Sequence, residues 1–550
     1  MKHYKLSQNT VFFSLLVFTL LFLLSSQGAS PLIDWDENIY AEASKQMLIQ
    51  DNFLDISINN QSFSEKPPLF FWLQTISFRI FGINEFGARF ISCISGTLLF
   101  LLLFKLGSWV KDYVFGAIWS VVFLTSLLPM ILAKSGVIDH TFNLFITCAT
   151  FFLYIYDVKY KAFIEEKGSS RSTWIFLSLA SICMGLAVLT KGPLGGLIPL
   201  IGFGGYKLFN KKPGINPIHF VFCAVLSLTI AISWYLINYA QFGDQFLVNF
   251  WDFQSREFNT PLEGHSGPFY FHFAVAIFGL LPWTAFLCSF RKGQMSLLNK
   301  HTKALAIIST VWIGFVLILF SFSATKLPHH SASIYVPLSF IVSLIIYHHW
   351  KNSSQVSSLT VSFFIISSVT ISAALIALPQ LAEQFLEQDN INFTLKWPNE
   401  IYIMNGLFIG LIFIAGALFR SRKIAYGVAC TAIAAFIFSQ TLWRHYVPTY
   451  LSYSQQPLIN MIKEVKGEGG KIAFYRFISF AAIYYGEEPI EMLGTSKFEG
   501  DFSILDKAQS DNIYIFTADR NNRERLIKEH PLVKLLEIRG VFAKFILSKK

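Results

Sequence analysis

The sequence predicts an all-α polytopic membrane protein with about 13 transmembrane helices and a small C-terminal α/β domain. Hydrophobic residues make up 53% of the 550 residues and charged residues only 14%, against about 25% in a soluble globular protein. Long apolar runs recur as far as residue 441, and the composition changes after Trp443. The chain is therefore expected to divide into a membrane domain, residues 1–445, and a C-terminal domain, residues 446–550.

Thirteen apolar runs are long enough to be membrane spans, which need roughly 20 residues with some latitude. They lie at 11–29, 88–108, 114–132, 139–156, 173–190, 193–208, 217–236, 269–290, 304–323, 331–349, 357–378, 401–419 and 424–441. A further apolar stretch, 67–82, is short and contains Arg79, so it predicts an interfacial or re-entrant helix. Because thirteen is an odd number, the two ends of the chain are expected on opposite sides of the membrane.

The distribution of basic residues predicts the orientation. The inner segments hold about twice as many Lys and Arg as the outer ones when the N-terminus is cytoplasmic, as the positive-inside rule requires. The first run has a second interpretation, because Lys2, Lys5, an apolar core and SSQGAS are typical of a cleavable signal peptide. Cleavage would leave an even number of spans and strand the following acidic residues at a free terminus, so an uncleaved first helix is favoured.

Composition argues against several other classes of protein. The net charge of +10 would suit a nucleic-acid partner, but the basic residues lie in short loops between apolar runs and indicate membrane orientation instead. All six cysteines fall inside apolar runs, which is typical of small buried hydrophobic residues and not of a disulfide framework. The sequence has no Cys/His metal spacing and no Gly-rich phosphate loop, so no motif supports a divalent metal.

The C-terminal domain has alternating strand and helix signals. KIAFYRF, NIYIFTA and VFAKFIL are typical of β-strands, whereas 455–466 and 520–530 have helical patterns. An odd number of spans places this domain outside the cytoplasm.

The first outer segment, residues 30–87, carries a cluster of carboxylates directly after the first span. Asp34, Asp36, Glu37 and Glu42 lie within nine residues. A carboxylate at the membrane edge is costly and is a functional candidate, but acids also suit the first turn of a helix such as YAEASKQML. Asp36 and Glu37 are the functional candidates, whereas Asp34 and Glu42 are expected to be structural, with Glu42 on a solvated helix face.

Three lysines on the predicted outer side depart from the positive-inside trend. Lys66, Lys191 and Lys326 either extend to lipid headgroups or bind an anionic group such as a phosphate. Lys66 is the strongest phosphate candidate, because two prolines stiffen the backbone after it. Asp139, at the start of the fourth span, is either a helix cap or a functional acid. The outer histidines lack metal-ligand spacing and are interpreted as polar loop residues: His265, His329 and His330.

Two classes of function fit these features. One is an enzyme that acts on a phosphate-bearing membrane lipid, and the other is a transporter or flippase of lipid-linked sugar. A transporter predicts charges at mid-membrane and paired broken helices in two halves. Here the charges lie at the outer helix ends and no halving is evident, which favours the enzyme.

The motif DWDENIYAEASKQML, followed by SEKPPLFFWLQTISFRIFGINEFGARF, closely resembles the polyprenyl-phosphate-dependent membrane glycosyltransferases of the protein mannosyltransferase and aminoarabinose (lipid A) transferase superfamily. The similarity continues through GVIDHTFNLF, LTKGPLGG and TKLPHH, over most of residues 10–350. The resemblance implies a GT-C type fold. It also implies an inverting transfer of a sugar from a polyprenyl-phosphate carrier to an acceptor on the outer leaflet.

The resemblance assigns roles to individual residues. Asp36 matches the catalytic acidic residue, with Glu37 as its partner and Asp139 as a second acid of the cavity. Glu65 and Lys66 match the family's EKP pair, whose lysine holds the carrier phosphate. Lys191 and Lys326 are the other candidates for binding the donor phosphate, and the candidates for lining the substrate are Tyr40, His265 and His330.

Departures from the aminoarabinose transferases leave the sugar and the acceptor open. Those enzymes read DETRY where this chain has Asn38 and Ile39 before Tyr40, and His330 stands in place of their KLPTY tyrosine. The expected donor is undecaprenyl phosphate carrying 4-amino-4-deoxy-L-arabinose or a hexose, and the acceptor is of the lipid A type or another glycan or lipid. A protein O-mannosyltransferase and a lipid-linked sugar flippase are the alternatives. The resemblance implies a monomer in a bacterial inner membrane.

Overall fold

The computed structural model describes residues 7–210, 216–290, 298–386, 396–486, 489–494 and 513–547 of the chain. The first part is helical and the C-terminal part contains a sheet. The α-helices are α1 (Gln8–Leu24), α2 (Asp36–Ile49), α3 (Leu69–Phe81), α4 (Glu85–Val110), α5 (Tyr113–Leu124), α6 (Leu127–Lys134), α7 (Asp139–Ile164), α8 (Ser170–Lys191), α9 (Leu194–Phe209), α10 (Pro217–Phe242), α11 (Gln245–Asn259), α12 (Phe271–Gly279), α13 (Lys300–Phe322), α14 (Tyr335–Lys351), α15 (Ser358–Leu386), α16 (Asn399–Arg420), α17 (Ile424–Thr441), α18 (Val447–Ser454), α19 (Gln456–Gly467), α20 (Phe480–Gly486) and α21 (Arg520–Glu529). Short 3-10 segments occupy Leu262–Gly264, Trp283–Ser289 and Pro328–Ile334, and a π-helical turn, Leu442–Tyr446, joins α17 to α18.

Local sequence explains where the membrane helices begin. The side chains of Asn84 and Asp112 accept the N–H groups of Gly87 and Phe115, so they cap α4 and α5. Each helix then continues as an apolar run, as the sequence predicts.

The described residues form a multi-pass membrane protein with nine helices long and apolar enough to be spans, or eleven if each of two bent pairs counts as one. The first and sixth predicted spans correspond to α1 and α9, which have 17 and 16 residues and are shorter than the ~20 that a full crossing needs. The total of thirteen therefore stays a prediction. The short stretch 67–82 forms α3, and its interfacial location is likewise a prediction.

Two of the predicted spans are bent rather than straight. α5 meets α6 at 73°, and α12 meets the segment Trp283–Ser289 at 99°. The Leu127 N–H donates to the Leu281 carbonyl at 3.0 Å, and the Trp283 indole donates to the Thr125 hydroxyl at 2.8 Å. The two breaks thus satisfy each other's polar groups inside the protein, as an apolar environment requires.

Glycines allow the closest helix contacts. A Cβ on Gly107 of α4 would lie 2.5 Å from the Gly116 Cα of α5, so a larger residue would separate these helices. Small residues at such contacts let helix backbones approach closely in membranes.

The loop between α1 and α4, which the sequence predicts to be outer, contains α2, a hairpin and α3. The hairpin strands, β1 (Ser57–Ile58) and β2 (Gln61–Ser62), are joined by Asn59 and Asn60, whose φ angles are 54° and 59°. Positive φ angles at both loop residues are typical of the two-residue turns that join hairpin strands, and asparagine tolerates them.

The C-terminal domain is a five-stranded sheet with helices. Its strands are β3 (Lys471–Tyr475), β4 (Glu491–Leu493), β5 (Ile513–Ala518), β6 (Val533–Arg539) and β7 (Phe542–Leu547), in the order β4-β3-β5-β7-β6. β3 is parallel to β4 and β5, and β7 is antiparallel to β5 and β6. The three predicted strands and two predicted helices are confirmed, whereas β4 and β6 were not predicted. The division of the chain at 445/446 stays a prediction.

Candidate active site

The loops at one end of the membrane domain line a cavity of about 1030 Å³. The start of α2, the turn before α3, the helix α11 with the loop after it, and residues 325–330 form its walls. Eight of the sequence-predicted site residues line it: Asp36, Glu37, Tyr40, Glu65, Lys66, Lys191, His265 and His330. Asp139 and Lys326 are not among the lining residues.

Asp36 is the most open of the predicted acids. It is the first residue of α2, where the partial positive charge of the helix N-terminus favours a carboxylate. Its side chain is 39% exposed, and His329 Nε2 lies 3.7 Å from its Oδ2. Within the described ranges no hydrogen bond to this carboxylate is found. The group is therefore available to a ligand in the cavity.

Glu37, the next residue, serves as an anchor inside the protein. The guanidinium of Arg89, on α4, donates to its two oxygens at 2.9 and 2.8 Å. The N–H groups of Gly136 and Ile33 also donate to it, at 2.5 and 2.8 Å. Four donors thus occupy this carboxylate, which fixes the first turn of α2 on α4 and leaves little capacity for a substrate.

Asp139, at the start of α7, and Lys191, at the end of α8, form a partly buried ion pair. Lys191 Nζ lies 2.6 Å from Asp139 Oδ1. The lysine of the LTKG motif thus lies on the cavity wall, where the Asp139 carboxylate neutralises its positive charge. Asp139 itself does not line the cavity, but its ion-pair partner Lys191 does.

Lys66 differs from the other two lysines that the sequence singles out. Its ammonium lies 5.3 Å from the centre of the Phe253 ring, and no ion pair to it is found among the residues that the structure describes. Burial opposes its charge, but the carboxylates of Glu257, Glu65 and Asp36 outweigh this and raise the pKa of Lys66. Lys66 thus presents a stable positive charge to the cavity.

Glu257, near the end of α11, is a site residue that sequence reasoning missed. Its Oε1 lies 3.3 Å from Nε2 of His330, and it lines the cavity. Burial alone would raise its pKa, but Lys66 and His330 hold the pKa of Glu257 at about 2. The sequence showed only that Glu257 is a carboxylate in a predicted outer loop. It did not indicate that Lys66 and His330 lie beside it.

Lys326 and His265 are joined through the backbone. The Lys326 N–H donates to the His265 carbonyl at 2.8 Å. The Lys326 ammonium donates to the carbonyls of Phe320 and Ser321, at 2.9 and 2.7 Å. These two hydrogen bonds cap the C-terminal end of α13. His265 lines the cavity, whereas the structure gives Lys326 a capping role.

Tyr40 and Glu65 complete the wall near Asp36. Tyr40 packs against Phe70 and Phe71, with ring centres 5.8 and 5.7 Å away. Burial, reinforced by Asp36, raises the pKa of Tyr40 well above its usual value, so its hydroxyl stays neutral. The Glu65 carbonyl accepts a 3.4 Å hydrogen bond from Gln254 of α11, which joins the EKP turn to the opposite wall.

The other two acids of the first loop have structural partners. Asp34 accepts hydrogen bonds from the Ser479 hydroxyl at 2.9 Å and the Ala481 N–H at 3.1 Å, in the C-terminal domain. Glu42 was expected on a solvated face, and this was wrong. It is buried and forms a 2.8 Å ion pair with Lys45, because the C-terminal domain covers this side of α2.

The cavity thus combines an available carboxylate, Asp36, with an available ammonium, Lys66. Such a pair can orient a hydroxyl or phosphate acceptor and bind a phosphate leaving group. In the described part of the chain, no three His, Cys, Asp or Glu side chains are grouped so that they could hold a metal ion.

Residues 10–254 match the family model of the dolichyl-phosphate-mannose-protein mannosyltransferases. The chain is 28% identical to an undecaprenyl phosphate-alpha-4-amino-4-deoxy-L-arabinose arabinosyl transferase of Enterobacter sp. (strain 638). The aligned region of 334 residues covers 60% of this chain and 58% of that protein. An enzyme of the same name from Pectobacterium carotovorum is 27% identical, over 60% of this chain and 57% of that protein. The chain thus spans less than two thirds of the length of these relatives.

The whole fold is similar to solved structures of ArnT from Cupriavidus metallidurans. The apo structure has a TM-score of 0.77 at 18% identity and covers 99% of this chain and 100% of that chain. The structure bound to undecaprenyl phosphate has a TM-score of 0.76 at 17% identity and covers 98% and 99%. The family model and the relatives confirm the predicted resemblance, and the solved structures confirm the predicted fold, a helical membrane domain with a small C-terminal sheet domain.

Proposed function

We propose that this chain is an inverting glycosyltransferase that moves a sugar from a polyprenyl phosphate to an acceptor at the outer face of the membrane. The proposed donor is undecaprenyl phosphate carrying a sugar. Its phosphate enters the cavity beside Lys66, and its polyprenyl chain stays in the lipid.

The observation that carries this proposal is that the Lys66 ammonium lies in the cavity as a positive charge without an ion-pair partner among the described residues. Lys191 is neutralised by Asp139 and Lys326 caps α13, whereas Lys66 has a raised pKa and no ion-pair partner among the described residues. The departing group of the reaction is a phosphate, which needs a fixed positive charge more than a proton donor. An ammonium held in the cavity supplies this charge without rearrangement.

Asp36 acts on the acceptor. If the acceptor is a hydroxyl, its carboxylate takes the proton as the oxygen attacks the anomeric carbon from the face opposite the phosphate. If the acceptor is a phosphate, no base is needed, and Asp36 orients the sugar or the acceptor. In both cases the acceptor oxygen forms a bond to the sugar as the bond to the carrier phosphate breaks, which inverts the anomeric centre.

Glu257 supports Lys66 in this scheme. Its carboxylate stays ionised because its pKa is held at about 2, and it raises the pKa of Lys66 in return. His330 bonds to the same carboxylate and keeps it in place.

The sugar is 4-amino-4-deoxy-L-arabinose or a hexose, and the acceptor is lipid A or another outer glycan or lipid. The similarity to undecaprenyl phosphate-aminoarabinose arabinosyl transferases supports the first sugar. A protein O-mannosyltransferase is the second candidate, favoured by the family model that matches residues 10–254. The proposal requires no metal.

The proposed location is the bacterial inner membrane, as a monomer with a cytoplasmic N-terminus and a periplasmic domain at 446–550. The excess of Lys and Arg on the predicted inner loops supports this orientation. Protease added to sealed inside-out vesicles should leave the C-terminal domain intact, and its digestion there would overturn the orientation.

The activity is tested with purified protein in proteoliposomes, given labelled undecaprenyl-phosphate sugars and lipid, glycan or protein acceptors. Lys66→Ala should lower transfer by about 10²–10³-fold, as loss of one group that stabilises a developing anion does. Asp36→Asn should also lower it, whereas Asp55→Asn is the matched control, because Asp55 lies in the same loop but does not line the cavity. Movement of the labelled lipid across the bilayer without sugar transfer would overturn the proposal in favour of a flippase.

A further inference from the structure

Residues 32–35, which lead directly into Asp36, are held by the C-terminal region of the chain. We propose that this region positions the Asp36 carboxylate for the reaction, through a loop clamp made of Gln455, Ser479 and Phe480. The inference rests on the proposed function of Asp36. It assigns the C-terminal domain a part in the reaction beyond covering the membrane domain.

Gln455, at the junction of α18 and α19, binds the backbone of the loop on two sides. Its Nε2 donates to the Leu32 carbonyl at 2.9 Å, and its Oε1 accepts the Asp34 N–H at 3.2 Å. The side chain is buried, and both ends of its amide are used. A buried amide with both ends satisfied fixes the chain that it binds, because each broken bond would leave an unpaired polar group.

Ser479 and Phe480 hold the next two residues. The Ser479 hydroxyl and the Ala481 N–H donate to the Asp34 carboxylate, at 2.9 and 3.1 Å. The Trp35 ring packs edge-on against Phe480, with centres 5.1 Å apart. The Asp34 carboxylate therefore binds the N-terminal end of α20. Two consecutive side chains of the loop, Asp34 and Trp35, are thus fixed by the C-terminal domain.

The start of α2 depends on such external support. The side chain of its N-cap residue, Trp35, makes no capping hydrogen bond to the first turn. An uncapped first turn frays more easily than the rest of a helix. Glu37 is fixed from one side by Arg89, and the loop clamp fixes the residues on the other side. Asp36 lies between the two anchors, so its position depends on both.

A second contact between the same domain and the same loop provides a matched control. The side chain of Asn59 donates to the Ile490 carbonyl at 2.8 Å and accepts the Ile490 N–H at 2.7 Å. This contact has the same number of hydrogen bonds as Gln455 makes with the loop, but it lies in the hairpin after α2. Asn59→Gly removes both bonds, and glycine tolerates the φ of 54° there.

The experiment compares Gln455→Met with Asn59→Gly in the full-length protein. Methionine has nearly the volume of glutamine but bonds to neither backbone group. Two quantities are measured: the amide hydrogen exchange of a peptide covering residues 31–40, and kcat and KM for the labelled undecaprenyl-phosphate sugar. Gln455→Met should speed exchange in this peptide and lower kcat by about 10-fold to 10²-fold, the cost of misplacing a catalytic group by about 1 Å. KM for the donor should stay unchanged, because Lys66 is not moved.

Asn59→Gly should leave exchange in residues 31–40 and kcat at wild-type values. Equal losses of kcat in the two variants, or a rise in donor KM that accounts for the whole effect of Gln455→Met, would overturn the clamp. If Asp36→Asn keeps full kcat, the proposed function fails instead. The exchange data report on the clamp independently of that result.

Discussion

Replacing Arg89 with methionine should destabilise the protein by about 3–5 kcal/mol, the usual cost of removing one partner from a buried ion pair. Arg89 is fully buried and binds both oxygens of Glu37, at 2.9 and 2.8 Å. It also donates to the carbonyls of Gln27, Ser30 and Pro31, each at 2.8 Å. Methionine fills much of the space but donates no hydrogen bond, so the Glu37 carboxylate is left buried without its cation.

Two further variants isolate the charge. The double variant Arg89→Met with Glu37→Gln should recover part of the loss, because the amide oxygen still accepts the Gly136 N–H while the unpaired charge is gone. Arg256→Met is the matched control. Arg256 forms a 2.9 Å ion pair with Asp252, but the side chains are 57% and 61% exposed. Its loss should cost at most about 1 kcal/mol.

The assay is equilibrium unfolding in mixed micelles with increasing sodium dodecyl sulfate, followed by tryptophan fluorescence. Arg89→Met should shift the midpoint far more than Arg256→Met. If the two variants lie within about 1 kcal/mol of each other, or if the double variant is less stable than Arg89→Met, the anchoring role of the Glu37–Arg89 pair is refuted.

Three other variants each test one contact, those at Glu257, Asp34 and Gly116. Glu257→Gln removes a carboxylate that raises the pKa of Lys66, so the basic limb of the pH–rate profile should move to lower pH; an unmoved limb would contradict the coupling. Burial raises the pKa of Asp34 to about 6, so the folded state binds this proton more tightly than the unfolded state. The resulting stability is complete below about pH 4 and is lost as the pH rises through 6, so wild type should lose up to about 3 kcal/mol relative to Asp34→Asn over this range. A stability difference independent of pH would contradict this. Gly116→Ala places a Cβ 2.3 Å from the Phe104 carbonyl oxygen and should cost about 1–3 kcal/mol in the same unfolding assay, whereas Gly204→Ala, with open space around it, should be nearly neutral.

The sequence predicted the parts of the fold that depend on local patterns. Apolar runs located the membrane helices, and short runs rich in β-branched and aromatic residues located β3, β5 and β7. β6 was missed because its residues 534–536 are exposed and charged residues interrupt it, so no continuous apolar run marks it. The bends in two spans were also missed, since they depend on bonds such as Leu127 to Leu281 between distant segments.

The candidate site shows the same division. The sequence identified Asp36 and Lys66 by residue type and position, and both line the cavity. It did not reveal that Glu37 is bound by Arg89 or that Asp34 is bound by Ser479, because these partners lie on other elements far along the chain. A carboxylate in a loop is visible from sequence, whereas the groups that occupy it are set by tertiary packing.

Transfer of the sugar from the carrier to the acceptor is tested by measuring both products of one reaction in proteoliposomes. Undecaprenyl-phosphate sugar and acceptor are supplied, and free undecaprenyl phosphate and glycosylated acceptor are both quantified by mass spectrometry, with the anomeric configuration read by NMR. Wild type should release one free carrier per sugar transferred and give an inverted anomeric centre, and both products should be lost in Asp36→Asn and Lys66→Ala. Intact donor recovered on the other side of the bilayer, or equal product formation by wild type and both variants, would contradict it.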